Sequence, residues 1–162
     1  MDEQKHVLSI LVDNEPGVLS RIAGLFSGRG YNIESLSAAA TTDPDVSRMT
    51  IVTTANAPDL EQIEKQLNKL INVIKLYDFT GGNYVQREMA LIKVIAKPEH
   101  RAEILRIVDI FRCQVVDVGP GHYTIEITGD EDKITALLGL LQPMGIKEIA
   151  KTGSIALPRE TK

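Results

Sequence analysis

Apolar positions along the chain switch between two periods, and the switch repeats. Residues 6–12 form an apolar-rich run too short for a typical helix, which predicts a strand. Leu19, Ile22, Ala23 and Phe26 then fall at i, i+3, i+4 and i+7, one face of a helix. Pro16 suits the first turn of that helix, where its missing N–H costs nothing, and Asn14 and Glu15 suit its entrance. Gly28 and Gly30 end it, since glycine accepts the left-handed geometry after a last turn. A second strand is expected over 32–41, a turn at Thr42-Asp43-Pro44-Asp45, and a Thr-, Ile- and Val-rich third strand over 49–54. Leu60, Ile63, Leu67 and Leu70 mark a second amphipathic helix, and 73–79 a fourth strand.

Thr80-Gly81-Gly82-Asn83 is a break, and the order then repeats. Residues 89–96 read as a strand; Ile104, Ile107, Val108 and Phe111 as a helical stripe; 114–118 as a strand. After the turn Gly119-Pro120-Gly121, residues 123–128 alternate apolar and polar, the period of a strand with one wet face. Ile134, Leu137, Leu138 and Leu141 give a fourth helix. Residues 146–157, interrupted at Gly153, supply a last strand and a tail. The expected fold is α+β: two ferredoxin-like βαββαβ domains in tandem, over residues 1–80 and 81–162. A sheet with helices on one face only leaves the other wet or buries it against something else, a first hint of an oligomer.

Composition narrows the function. Hydrophobic residues make up 43% and charged residues 25%, an ordinary globular balance. A formal net charge of -4 argues against nucleic acid or an anionic membrane as partner. Aromatics are 4% and Trp is absent, which disfavours base-stacking platforms. No run has the roughly 20 apolar residues of a membrane helix, and no signal peptide is legible, so a cytoplasmic protein is expected. The single cysteine, Cys113, excludes an intramolecular disulfide and a cysteine metal cluster, and reads as a half-buried strand-entry residue. His6, His100 and His122 lie far apart with no ligand spacing, which predicts surface or strand-end positions. Gly28-Arg29-Gly30 is no dinucleotide fingerprint, because Ile33 stands where the third glycine belongs. Asp43-Pro44-Asp45 reads as a turn, and Asp130-Glu131-Asp132 as acids before a helix; no metal site is expected.

One constellation carries chemistry. Asn14-Glu15-Pro16-Gly17 joins the first strand to the first helix, where free N–H groups and a positive partial charge suit a carboxylate. Gly17 lets a ligand or second chain approach the backbone. Asn32 begins strand 2 near the other end of that helix, and a two-fold axis would let it meet Asn14 of another copy. Asparagine both donates and accepts, as an amino-acid zwitterion requires. Spacing alone leaves two readings: simple capping and turn formation, or a small-zwitterion site.

The run Asn14-Glu15-Pro16-Gly17-Val18-Leu19-Ser20-Arg21-Ile22-Ala23-Gly24-Leu25-Phe26, followed by Arg29-Gly30-Tyr31-Asn32-Ile33-Glu34-Ser35-Leu36, resembles the N-terminal ACT domain of the small, regulatory subunits of acetolactate synthase. Ser47-Arg48-Met49-Thr50-Ile51, Glu61-Gln62-Ile63-Glu64-Lys65-Gln66-Leu67 and Arg87-Glu88-Met89-Ala90-Leu91-Ile92-Lys93-Val94 extend it. So do Ile110-Phe111-Arg112, Val115-Val116-Asp117-Val118 and Thr152-Gly153-Ser154-Ile155-Ala156-Leu157, so that it covers essentially the whole chain.

The resemblance implies a chain that performs no carboligation. It implies a large catalytic partner carrying thiamine diphosphate, a divalent cation and usually FAD, with no cofactor in this chain. Such subunits raise the partner's activity and confer feedback inhibition by L-valine, sometimes by isoleucine or leucine, in branched-chain amino acid synthesis. The effector lies between two paired ACT domains of a homodimer. Carried onto this sequence, that site holds Asn14, Gly17, Asn32 and Ala39; Val18, Leu19 and Ile33 border the same positions, and Leu19 and Ile33 are the apolar side chains expected to receive the isopropyl group. Ala38 and Ala40 depart from the family's usual branched apolar residue and proline, which bears on effector preference. Arg29, Tyr31 and Arg48 are candidates for the surface that grips the partner. The alternative is a free-standing tandem-ACT sensor acting on another protein.

Overall fold

The computed structural model describes residues 2–160, which divide into two compact units. The first comprises the chain through Val85 together with the segment from Ser154 onward; the second is Gln86–Gly153.

In the first unit the elements are β1 (Gln4–Asp13), α1 (Val18–Gly28), β2 (Ile33–Ala40), β3 (Val46–Ala55), α2 (Ala57–Asn68) and β4 (Val73–Asp78). The sheet order is β2-β3-β1-β4, all neighbours antiparallel. Alternation sends Leu8, Ile10 and Val12 of β1, with Met49 and Ile51 of β3, to the helix side. There they close a core with Val18, Ile22 and Phe26 of α1 and Leu60, Ile63 and Leu67 of α2. Asn56 caps α2 by accepting from the Asp59 N–H at 2.8 Å.

The helix-free face of this sheet is partly covered from within the unit. Val7 and Val52 pack against Phe79 and against Ala156 of β9 (Ile155–Pro158), and Ser9 and Thr50 beside them are buried. The Arg159 N–H donates to the Asn83 carbonyl at 3.0 Å, tying down that tail.

The second unit repeats the plan. β5 (Tyr84–Ile95, whose first two residues belong to the first unit), α3 (Arg101–Ile110), β6 (Gln114–Val118), β7 (His122–Gly129), α4 (Glu131–Leu141) and β8 (Ile146–Lys151) follow in order, and the strands run β6-β7-β5-β8. Ala90, Ile92 and Val94 meet Ile104, Ile107, Ile134 and Leu137 in its core. Asp130 caps α4, accepting from the Lys133 N–H at 2.9 Å.

Four differences from the sequence reading have local causes. Helix α1 starts at Val18, not at Pro16, because Gly17 adopts φ +86°, a left-handed conformation outside any helix. Its buried stripe is Val18, Ile22 and Phe26, which turns Leu19 outward. β5 begins at Tyr84, earlier than the apolar pattern shows, since Tyr84 stacks on Phe79 with ring centres 5.3 Å apart while Gln86, Arg87 and Glu88 interrupt the pattern. His6 is buried, its ring bridging Thr80 Oγ1 (2.8 Å) and the Ala55 carbonyl (3.0 Å), which corrects the surface expectation.

Candidate effector site at the entrance of helix α1

The loop after β1 is built by backbone geometry. The Glu15 N–H returns to the Asp13 carbonyl at 2.9 Å, and Gly17 then turns left-handed to start α1. The Arg21 N–H donates to the Gly17 carbonyl at 3.0 Å, the first intrahelical bond. The first-turn N–H groups of Leu19 and Ser20 have no acceptor within the helix by geometry, and no side chain caps them. Helix α1 also lacks the acidic first-turn residue that α2, α3 and α4 carry in Asp59, Glu103, and Glu131 with Asp132. No acid within its first turn offsets its positive end, which suits an anion.

Around this entrance the expected residues divide. Asn14 is exposed; its N–H donates to the Asp45 carbonyl at 2.8 Å and its Nδ2 to the Pro44 carbonyl at 2.8 Å. That pair orients the carboxamide and leaves a second N–H and Oδ1 for other partners. Gly17 is exposed, with nothing within 4 Å of the place a Cβ would occupy. Leu19 stands 47% exposed beside it. Val18 is buried in the core, so only its backbone borders the loop.

Ala39 belongs to the same end of the sheet. The register pairs it with Arg48, which pairs with Leu11, and pairs Ala40 with Ser47 and so with Val12. Asn32 and Ile33 do not: Ile33 pairs with Thr53, and Thr53 with His6 at the far end of β1. His6 and Asp13 are separated by about 23 Å at ~3.3 Å per residue. Within one chain the site residues therefore lie at both ends of the sheet. Strand β2, which carries Asn32's end and Ala39's end alike, is the sheet's edge.

A residue that the sequence reading missed organises the loop from below. Asn72, between α2 and β4, is 8% exposed. Its carbonyl accepts from the Asp13 N–H at 2.9 Å, its Oδ1 accepts from Arg21 Nη1 at 2.5 Å, and its Nδ2 lies 3.4 Å from both Asp13 Oδ2 and Glu15 Oε2. The signal available in sequence was a lone asparagine inside the apolar run Leu70-Ile71-Asn72-Val73.

The other candidates are engaged elsewhere or lie away from the loop. Arg48 is half-buried, donates to Ser9 Oγ at 2.6 Å and lies 6.0 Å from the Tyr77 ring centre. Tyr31 packs on the core and donates to Asp59 at 3.4 Å, while Arg29 is exposed at the end of α1. Asp43 accepts from the Asp45 N–H, as a turn requires. Among the described residues no three His, Cys, Asp or Glu side chains converge to hold a metal ion. Cys113 is half-buried, donates to the Val108 carbonyl at 3.4 Å, and burial pushes its thiol up, away from nucleophilic reactivity. No helix among the described residues is long and apolar enough to cross a membrane.

The βαββαβ unit with an open edge strand is the architecture of a known class: residues 8–75 match the family described as the AHAS small subunit-like ACT domain. Residues 87–160 match the family described as the small subunit of acetolactate synthase. A probable acetolactate synthase small subunit from Archaeoglobus fulgidus is 50% identical over 98% of this chain and 99% of its own length. An acetolactate synthase small subunit from Mycobacterium bovis is 52% identical over 98% of this chain and 95% of its own. The crystal structure of the acetolactate synthase small subunit from Thermotoga maritima superposes with a TM-score of 0.88 at 40% identity, covering 98% of this chain and 99% of that one. This chain belongs to the acetolactate synthase small-subunit family.

Proposed function

We propose that this chain binds the large catalytic subunit of acetolactate synthase, raises its activity and makes it sensitive to L-valine. The carboligation and its cofactors, thiamine diphosphate, a divalent cation and usually FAD, belong to the catalytic subunit. The observation that carries the effector assignment is the entrance of α1: free first-turn amides, no acid in the first turn, exposed Asn14 and Gly17, and an apolar wall in Leu19.

The register supports a shared site. Two β2 edges pairing antiparallel satisfy each other's unpaired backbone groups. Such pairing sets the Ile33 end of one copy against the Ala40 end of the other, which brings Asn32 and Ile33 of one subunit toward Asn14, Gly17 and Ala39 of its mate. Each site is then completed only in the homodimer, and two-fold symmetry makes two of them. The α1 amides take the carboxylate and the asparagines share the ammonium. Leu19 and Ile33 receive the side chain, where one methylene changes binding by only about 1–3 kcal/mol. Valine, isoleucine and leucine are therefore not sharply separated. Inhibition follows when valine prefers a dimer arrangement that the catalytic subunit tolerates poorly.

Calorimetric titration with L-valine, with D-valine as control, tests the site; light scattering tests the dimer. Saturable binding of the L form, weakened in Asn14→Ala, is expected. Reconstitution with the catalytic subunit should raise acetolactate formation and make it valine-sensitive. Robust acetolactate production by this chain alone, or no change in the partner's rate, would overturn the proposal.

A further inference from the structure

Asn72 joins three parts of the chain that the entrance of α1 depends on: the end of β1, the loop at Glu15 and the first turns of α1. The structure assigns it a role: we propose that Asn72 is a positioning residue that holds this loop and keeps the entrance electropositive. The inference rests on reading that entrance as the effector site.

The argument is one of charge and valence. Arg21 sits one turn into α1, near the positive end of the helix, where a cation is unfavourable. Asp13 and Glu15 bracket the loop, and a free carboxylate there would repel a carboxylate ligand. All three charges meet at Asn72. The carbonyl half of its amide accepts from Arg21, and the amino half faces both carboxylates at 3.4 Å. Only a neutral amide can accept from a cation and donate to two anions at once. Alternation in the α2–β4 turn directs it inward: Ile71 is 91% exposed while Asn72 is 8% exposed. Burying a polar residue in place of its apolar neighbour makes sense where that residue satisfies several partners.

Two variants separate this role from a general stabilising one. Asn72→Ala removes both halves of the amide. Asn72→Asp keeps acceptors for Arg21 but, ionised, cannot donate to Asp13 or Glu15; protonated, it has one O–H for one of them. L-valine titration of the full chain should show about tenfold weaker binding in both variants at neutral pH. Acidification should narrow the gap to wild type more in Asn72→Asp, which regains one donor, than in Asn72→Ala, which regains none. Amide hydrogen exchange over residues 14–20 should be faster in Asn72→Ala than in wild type. Wild-type affinity in both variants, where wild type itself binds L-valine, would overturn the positioning role and leave the effector site standing. A wild-type chain that binds no L-valine would overturn the effector reading instead. Hydrogen exchange then decides alone, and unchanged exchange over 14–20 would overturn Asn72's hold on the loop.

Discussion

The two units share a topology and differ at the entrance of their first helix. In the first, the chain leaves β1 through an exposed loop, turns left-handed at Gly17 and enters a helix with no acid in its first turn, where α3 has Glu103; neither helix has a side-chain cap. In the second, it leaves β5 through a 3-10 turn at Pro98–His100, whose His100 N–H returns to the Lys97 carbonyl at 2.8 Å. Arg101 then folds back, Nε to the Ala96 carbonyl at 3.1 Å and Nη2 to the Pro120 carbonyl at 2.8 Å. The first unit's junction is tied by Asn14 and Asn72 from the flanks of the loop, the second's by Arg101 of the helix itself. Repeated hydrophobic patterning builds the scaffold twice, and the few residues between strand and helix decide whether that scaffold offers a binding site. The helix-free faces differ too. That of the first unit is partly covered by Phe79 and Ala156, whereas Met89 and Leu91 of the second stand 39% and 43% exposed.

The largest effect on this contrast is expected at Gly17. In Gly17→Asp the side chain has room, but φ +86° costs a non-glycine residue about 1–2 kcal/mol, and the new carboxylate faces the ligand's own. L-valine binding should fall at least about a hundredfold by calorimetry. His100→Asp, at the corresponding place in the second unit, should leave it unchanged; equal loss in both would break the comparison. Asn14→Ala should weaken binding about tenfold, since it removes one oriented polar partner and leaves the helix amides in place. The smallest effect is on stability. Burial, reinforced by the hydrogen bond and charge of Asp78 and by Glu61, pushes the Glu64 carboxyl of α2 up to about 7 from 4.5. The folded chain therefore holds a proton there that the unfolded chain releases. This contribution is complete at acidic pH and is lost as pH rises through about 7. Glu64→Gln should flatten that dependence and raise stability above neutrality, by less than about 1 kcal/mol because the group is largely solvated. Thermal melts across pH would read it, and an unaltered pH profile would remove Glu64 as its source.

Much of this was legible in order of residues. The stripes Leu60, Ile63, Leu67 and Ile134, Leu137, Leu141 mark two helices directly, and 123–128 alternates as β7 does, because period follows from local geometry. The spacing puts Leu19 on the core stripe, but such a stripe fits two neighbouring faces, and only the position of the sheet selects Val18 for the core. His6 reads as a polar residue at a strand end, yet its partners Thr80 and Ala55 come from distant parts of the chain.

The sequence by itself determined the repeated βαββαβ plan, the loop at Asn14 and Gly17 and the family, since each is written in consecutive residues. Only tertiary structure decided that Asn32 and Ala39 stand at opposite ends of one edge strand, because that depends on register between strands far apart in sequence. It alone brought Asn72 beneath the loop, where a hydrogen bond spans almost sixty residues of chain. And it alone passed the segment after Gly153 into the first unit, where Ala156 finds apolar surface that no local pattern reveals.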